Sequence, residues 1–152
     1  MHFTPNLFDE LAAIGVETAR VELVVGLDTF KPVSAEDPRD HVIHSERYRV
    51  SADVLERCNS ARRVVAVGTT SVRVLETVAR TGELDGRTTL FVTPPFAFRR
   101  VDALLTNFHL PRSTLLALVM AFACIEETRT LYRLAIAERY RFYSFGDAML
   151  IL

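Results

Sequence analysis

The chain alternates short apolar runs with polar corners, and the spacing within each run predicts its element. Thr4-Pro5 opens a helix, with threonine at the N-cap and proline at the first helical position. Leu7, Phe8, Leu11 and Ile14 recur at helical spacing, and Gly15 suits the residue just past the helix end. Residues 18–25 read as a strand, 26–33 as a loop and 34–40 as an acidic surface turn. Residues 43–50 alternate as a strand does, with His44 and Glu46 on one face and Ser45 and Arg47 on the other. Ser51 caps a short helix that runs through Cys58. The β-branched run 64–67 predicts a buried strand, 68–71 a tight corner and 72–80 a helix. Residues 82–86 read as a loop, and 88–92 as a strand stopped by Pro94-Pro95.

The stretch 101–116, VDALLTNFHLPRSTLL, gathers the most chemistry. Ala103-Leu104-Leu105-Thr106 has the apolar character of a covered sheet strand. Asn107, His109, Pro111 and Arg112 then place polar groups at its carboxyl end, and Ser113 sits where an N-cap belongs. Residues 114–125 are almost entirely apolar and predict a helix covered on more than one side. In so short a chain such a helix hints at a missing neighbour, because a large exposed apolar patch marks an interface. Residues 128–139 predict a second, amphipathic helix with Leu131, Leu134, Ala135 and Ile136 facing inward, and 145–152 a last strand. Strands alternating with helices give an α/β class: a mixed, largely parallel sheet flanked by helices, in one domain. In open sheets of this kind ligands bind at strand carboxyl ends that lead into helix N-termini.

At 152 residues the chain is long enough to bury about two thirds of its unfolded surface. A hydrophobic content of 49% against 24% charged excludes a disordered chain. The net charge of -1 excludes holding RNA by bulk electrostatics, so any nucleic-acid contact needs a local patch. Cys58 and Cys124 have no CxxC partner and no metal-ligand cluster, so neither zinc nor a disulfide framework is expected. Both read as buried thiols in a reducing compartment. The opening Met1-His2-Phe3-Thr4-Pro5 is not a secretory signal, and the longest apolar run is too short for a bilayer. A cytoplasmic location without a membrane partner is expected.

Each candidate residue has a plain reading beside its chemical one. The corner formed by Thr69, Thr70, Ser71 and Arg73 can hold a carboxylate or phosphate on amides and hydroxyls. It lacks the glycine pattern of a phosphate loop or dinucleotide fingerprint, and the plain reading is an N-cap cluster with Arg73 in solvent. His109 has the titration range of a general base, against a histidine bonded to a turn. Asn107 can read a ligand or form an Asx-turn, and Asp102 can pair with Arg99 or Arg100. His44 and Glu46 can make a base and its orienter, or merely belong to a half-exposed strand. The aromatic run 140–145 with Arg141 suits base stacking or plain packing. Ser113, His109 and Asp147 lack the spacing support for a triad. With no nucleophile elbow and no phosphate loop, an unrelated hydrolase or nucleotide-binding module is disfavoured.

Long blocks of the chain, in order, resemble the S-adenosylmethionine:tRNA ribosyltransferase-isomerases of queuosine biosynthesis. These are His2-Phe3-Thr4, the set Gly26, Thr29, Phe30, Pro32 and Val33, His44-Ser45-Glu46, AVGTTSVRVLE at 66–76, VDALLTNFHLPRSTLL, and the terminal YRFYSFGDAMLI. The chain departs from the family at Val24 (histidine there), Asp28 (glycine) and Pro95-Phe96 (PGY with the preceding proline). The resemblance places it in the family's C-terminal half, an incomplete α/β domain without the N-terminal half and inserted β-rich domain. It implies transfer and isomerisation of the ribosyl part of S-adenosylmethionine onto 7-aminomethyl-7-deazaguanine in tRNA, giving epoxyqueuosine. S-adenosylmethionine is then the ribosyl donor, tRNA the acceptor, and no metal takes part. Such chemistry needs a base for the carbon beside the sulfonium and an acid for departing adenine. On that resemblance His44, Glu46 and His109 are the acid/base candidates. Thr69, Thr70, Ser71 and Arg73 would hold the methionine carboxylate, and Asp102, Asn107 and Arg112 would position substrate. A non-catalytic remnant, or half of a split enzyme completed by a second chain, stands as the alternative.

Overall fold

The computed structural model describes residues 3–26 and 43–152. The expectations placed on Asp28 and on the 29–40 loop and turn lie outside the described residues. Five helices and six strands are described: α1 Pro5–Ala13, β1 Glu22–Val24, β2 Glu46–Arg49, α2 Ala52–Ser60, β3 Val65–Val67, α3 Thr69–Thr81, β4 Asp85–Thr88, β5 Ala103–Asn107, α4 Thr114–Ala123, α5 Ile125–Ala137 and β6 Ala148–Ile151. The mixed α/β class stands as expected. The strands divide into two small sheets, β1-β2-β4 and β3-β5-β6. The parallel pair β3/β5 sits beside three antiparallel pairings.

The helix starts follow local chemistry. Thr4 Oγ1 accepts from the Leu7 amide at 3.3 Å, Ser51 Oγ from Val54 at 3.3 Å and Ser113 Oγ from Leu116 at 3.0 Å. Each hydroxyl satisfies an amide the helix itself cannot. α3 closes on Gly82, whose φ of 75° is open to glycine at little cost.

α3 is the centre of the molecule. Val72 and Leu75 pack with Ala66, Val92, Val101, Leu104 and Leu118 against the β3-β5-β6 sheet. Val74 and Val78 pack with Tyr48, Val50 and Val54 on the other side. A helix wedged between two cores buries its polar residues too, and Arg73, Glu76 and Thr77 are all buried. Buried polar groups must find partners, and these three do. Glu76 is fully enclosed; its carboxylate accepts from the backbone amides of Arg99, Arg100 and Val101 at 2.8–3.1 Å and pairs with Arg80. Thr77 Oγ1 lies 2.7 Å from Thr88 Oγ1, which accepts from the Leu90 amide at 3.0 Å.

Several sequence expectations are corrected. The strand expected at 88–92 is absent; β4 runs earlier, over Asp85–Thr88, where a loop was expected. Its partner β2 starts at Glu46, opposite Thr88, so the ladder has nothing to pair with beyond that point. The carbonyls of Thr88 and Leu90 are taken by Arg73 instead. The strands expected at 18–25, 43–50 and 145–152 shorten to β1, β2 and β6. The apolar helix ends at Ala123, because Cys124 takes φ 65° and the chain turns into α5. Leu131, Leu134 and Ile136 of α5 face solvent, while Thr128 and Ala135 are its buried residues. Cys124 is exposed and Cys58 half-buried, not both enclosed. α4 is covered by α5 on one side and the core on another, and its residues range from half-buried to buried. α1 contributes no buried residue. Val65, Val67 and Leu150 expose an apolar face of the β3-β5-β6 sheet.

Candidate functional site

Two concavities flank the start of α4, both fed by strand carboxyl ends. The first lies where β3 turns into α3. Gly68 bonds its amide to the Leu105 carbonyl at 2.8 Å, and its φ of 85° makes the turn. As N-cap it offers no side chain, so the first turn of α3 has no side-chain cap. The first turn of α3, the positive end of the helix dipole, borders the cleft through Thr69 and Thr70. Thr69 is buried there and Thr70 is exposed. The cleft, about 410 Å³ with its open mouth, is lined by Glu46, Thr69, Thr70, Arg73, Leu90, Thr114 and Leu115 among others.

Arg73 is the floor of this cleft and is not solvated. Its Nε donates to the Leu90 carbonyl at 3.0 Å, and Nη2 to the carbonyls of His44 and Thr88 at 3.2 and 3.3 Å. Nη1 forms an ion pair with the buried Glu46 carboxylate. Burial draws the guanidinium pKa down, and Glu46 holds it up. The other Glu46 oxygen accepts from the Gly26 amide at 3.4 Å. One guanidinium therefore ties together β2, the end of β4, the turn after it and α3.

The second concavity lies at the carboxyl end of β5, about 680 Å³ with its mouth, and shares Leu115 with the first. It is lined by Asn107, His109, Arg112, Ser113, Tyr143 and Ser144 with neighbouring apolar groups. His109 Nε2 lies 2.9 Å from Thr106 Oγ1, and the His109 backbone amide donates to Tyr132 Oη at 3.0 Å. Burial pushes the imidazole pKa down to about 4, so it is neutral at physiological pH. Asn107 Nδ2 donates to the carbonyls of Gly146 and Asp147 at 3.3 Å, tying β5 to the 141–147 loop. Arg112 is exposed, with φ 56°.

The structure thus brings Glu46, Thr69, Thr70 and Arg73 into one cleft and Asn107, His109 and Arg112 into the next. Three candidates lie elsewhere. His44 lends Arg73 its carbonyl and has an exposed residue surface, whereas Glu46, expected on the same face, is buried. Ser71 Oγ donates to the Val67 carbonyl at 2.8 Å and borders a groove beside Val65 and Val67. Asp102 sits at the opposite end of β5, about 16 Å away by strand rise. Its carboxylate accepts from the Val64 amide at 2.7 Å, not from Arg99 or Arg100. No triad forms: Ser113 caps α4, His109 meets Thr106 and Asp147 clamps Arg141. Among the described residues no cluster of potential ligands could hold a metal, and no helix is long and apolar enough to cross a membrane.

Sequence reasoning missed the buried roles of Glu76 and Thr77, whereas Tyr143 belongs to the aromatic run singled out for base stacking. For Glu76 a signal existed: it lies four residues after Val72 on the helix, hence on a buried face, with Arg80 four further on.

Fold and clefts together define a mixed α/β chain with two adjacent clefts at the carboxyl ends of its parallel strands. The family model described as queuosine biosynthesis protein matches residues 1–151, and the chain belongs to that family. A relative from Thermotoga petrophila, an S-adenosylmethionine:tRNA ribosyltransferase-isomerase, is 52% identical over all of this chain and 48% of its own length. One of the same name from Symbiobacterium thermophilum is 56% identical over all of this chain and 47% of its own length. The crystal structure of S-adenosylmethionine tRNA ribosyltransferase from Thermotoga maritima superposes with a TM-score of 0.83 at 48% identity. That match covers 99% of this chain and 50% of the other. The chain therefore spans about half the length of the relatives it matches.

Proposed function

We propose that this chain carries the strand-end part of an S-adenosylmethionine:tRNA ribosyltransferase-isomerase site, acting in the cytoplasm on tRNA. The observation that carries the reading is the adjacency of the two concavities across the start of α4. One is suited to an anion and the other holds a neutral imidazole, in a chain more than half identical to such enzymes throughout its length. The uncapped α3 amides, with Thr69 and Thr70, fit the methionine carboxylate of S-adenosylmethionine, because amides and helix dipole favour a negative group there. Arg73 supplies positive charge beneath them. Its donors are mostly engaged, so its contribution is a fixed field and a fixed floor rather than a free fork.

His109 is the proton acceptor best placed for the carbon beside the sulfonium. Its geometry carries the assignment, since it lines the cavity at the end of β5 and Thr106 Oγ1 lies 2.9 Å from its Nε2. Glu46 acts through Arg73 as a positioning residue. Asn107 and Arg112 border the space in which the acceptor base would lie. His44, which lines neither concavity, is the remaining candidate for protonating departing adenine.

The reading is tested by incubating the chain with S-adenosylmethionine and tRNA bearing 7-aminomethyl-7-deazaguanine, and following adenine release by chromatography. Release that depends on tRNA and falls at least a hundredfold in His109→Ala is expected. Binding of S-adenosylmethionine without release would support a second reading, ligand binding without turnover. One observation favours that alternative: α1 buries nothing and one face of β3-β5-β6 is open, leaving surfaces that the unmatched half of the relatives would cover.

A further inference from the structure

The loop joining α5 to β6 is tightly built yet displays aromatic rings to solvent. The Asp147 carboxylate accepts from the Arg141 backbone amide at 2.7 Å and from its guanidinium at 2.9 Å. The Asp147 amide returns to the Arg141 carbonyl at 2.8 Å. Gly146 is packed so closely that a Cβ there would collide with the Arg141 carbonyl. The Tyr143 amide donates to the Phe108 carbonyl at 3.0 Å, fixing the loop to the end of β5. Phe142 points inward, its ring 5.2 Å from Phe108 and 5.7 Å from Tyr132. Tyr143 and Phe145 do not share that packing. Tyr143 is 55% exposed and Phe145 90%, the highest value for a large apolar side chain among the described residues. Tyr143 lines the cavity at the end of β5, as does Arg112. Arg112 has neither an ion pair nor a side-chain hydrogen bond among the described residues. Both residues hold positive φ, 75° and 56°, a conformation that costs free energy and recurs at ligand sites.

We propose that this cavity seats an unstacked nucleobase of a single-stranded RNA segment, with Tyr143 as stacking platform, Phe145 as the next platform outward and Arg112 on a backbone phosphate. The inference rests on the tRNA-modifying reading and adds the residues that would hold the RNA. Ring, cation and a cavity of mixed polarity are the elements by which proteins hold single strands, whose bases all present a π face. A chain of net charge -1 has no bulk attraction for RNA, so an unpaired arginine beside exposed rings is the local patch such binding needs. An adenine ring from S-adenosylmethionine shares the stacking chemistry. It would leave the exposed Phe145 ring and the unpaired Arg112 without a role, so the RNA is the occupant argued for.

The test is fluorescence anisotropy of a fluorescein-labelled single-stranded RNA hexamer with the whole chain, alongside calorimetric titration of S-adenosylmethionine with the same proteins. Tyr143→Ala is expected to weaken RNA binding about tenfold and Phe145→Ala severalfold, with Tyr143→Phe retaining affinity. Arg112→Ala is expected to lower the slope of log affinity against log salt by about 0.7. S-adenosylmethionine affinity should be unchanged in all four. Phe145→Ala guards against a folding artefact, because that ring has almost no contact to lose. RNA affinity unaffected by these substitutions, no RNA binding at all, or loss of S-adenosylmethionine binding in place of RNA binding would each overturn the proposal. Failure of wild-type S-adenosylmethionine binding with the RNA effects intact would instead count against the carboxylate site at α3 and leave this inference standing.

Discussion

The middle and the amino end of α3 handle polar groups in opposite ways. Mid-helix, the Glu76 carboxylate is enclosed and saturated by three backbone amides and Arg80, and Arg80 also lies over the Phe96 ring at 4.3 Å. At the amino end, Gly68 leaves the first turn without a side-chain cap, and the cleft opens in front of it. Both regions bring backbone amides together: around the Glu76 carboxylate in one, and at an uncapped helix start beside a cleft in the other. In one the protein supplies the carboxylate; in the other it does not. Saturation marks a structural joint, whereas the uncapped first turn beside a buried cation is where the proposed anion site lies.

That contrast predicts different costs. Glu76→Ala should have the largest effect, about 4 kcal/mol of stability, because it leaves three backbone amides without their acceptor and Arg80 without its ion pair. Urea unfolding measures it, and a loss under 1 kcal/mol would show that the 99–101 turn does not depend on the carboxylate. Glu46→Ala should cost somewhat less, about 3 kcal/mol, since Arg73 keeps its carbonyl acceptors. The double variant Glu46→Ala with Arg73→Met should be more stable than Glu46→Ala alone, because the stranded charge is gone.

The pH dependence gives the next effect. Burial lowers the His109 pKa to about 4, while the unfolded chain ionises near 6.5. Between these values the unfolded state binds the extra proton. This group's contribution is therefore complete above pH 6.5 and is lost as pH falls toward 4, by about 3 kcal/mol. His109→Gln should flatten that part of the stability curve. Smallest of all, Thr70→Ala should change stability by no more than about 0.5 kcal/mol, as an exposed first-turn position.

The parts legible in sequence are those with local causes. Thr4, Ser51 and Ser113 cap helices because a hydroxyl three residues before an amide suffices. The β5 strand and its polar end were legible from one apolar run. Features set by a distant partner were not. β4 lies where β2 can pair with it, and 88–90 is irregular because Arg73 takes its carbonyls. Cys124 breaks the helix without glycine or proline to announce it. Leu131, Leu134 and Ile136 have the spacing of a buried stripe and face solvent, since periodicity says that a face is apolar but not what covers it. For the candidate site, each residue run was visible separately. That Glu46 would meet Arg73 across 27 positions is a tertiary fact.

The most direct test of the central claim is calorimetric titration of S-adenosylmethionine into the chain, after circular dichroism and gel filtration confirm a folded species. The account predicts saturable one-to-one binding, weakened at least tenfold by Arg73→Met and unchanged by Asp102→Asn at the far end of β5. A folded chain that gives no binding heat at several temperatures, or equal affinity in wild type and Arg73→Met, would contradict it.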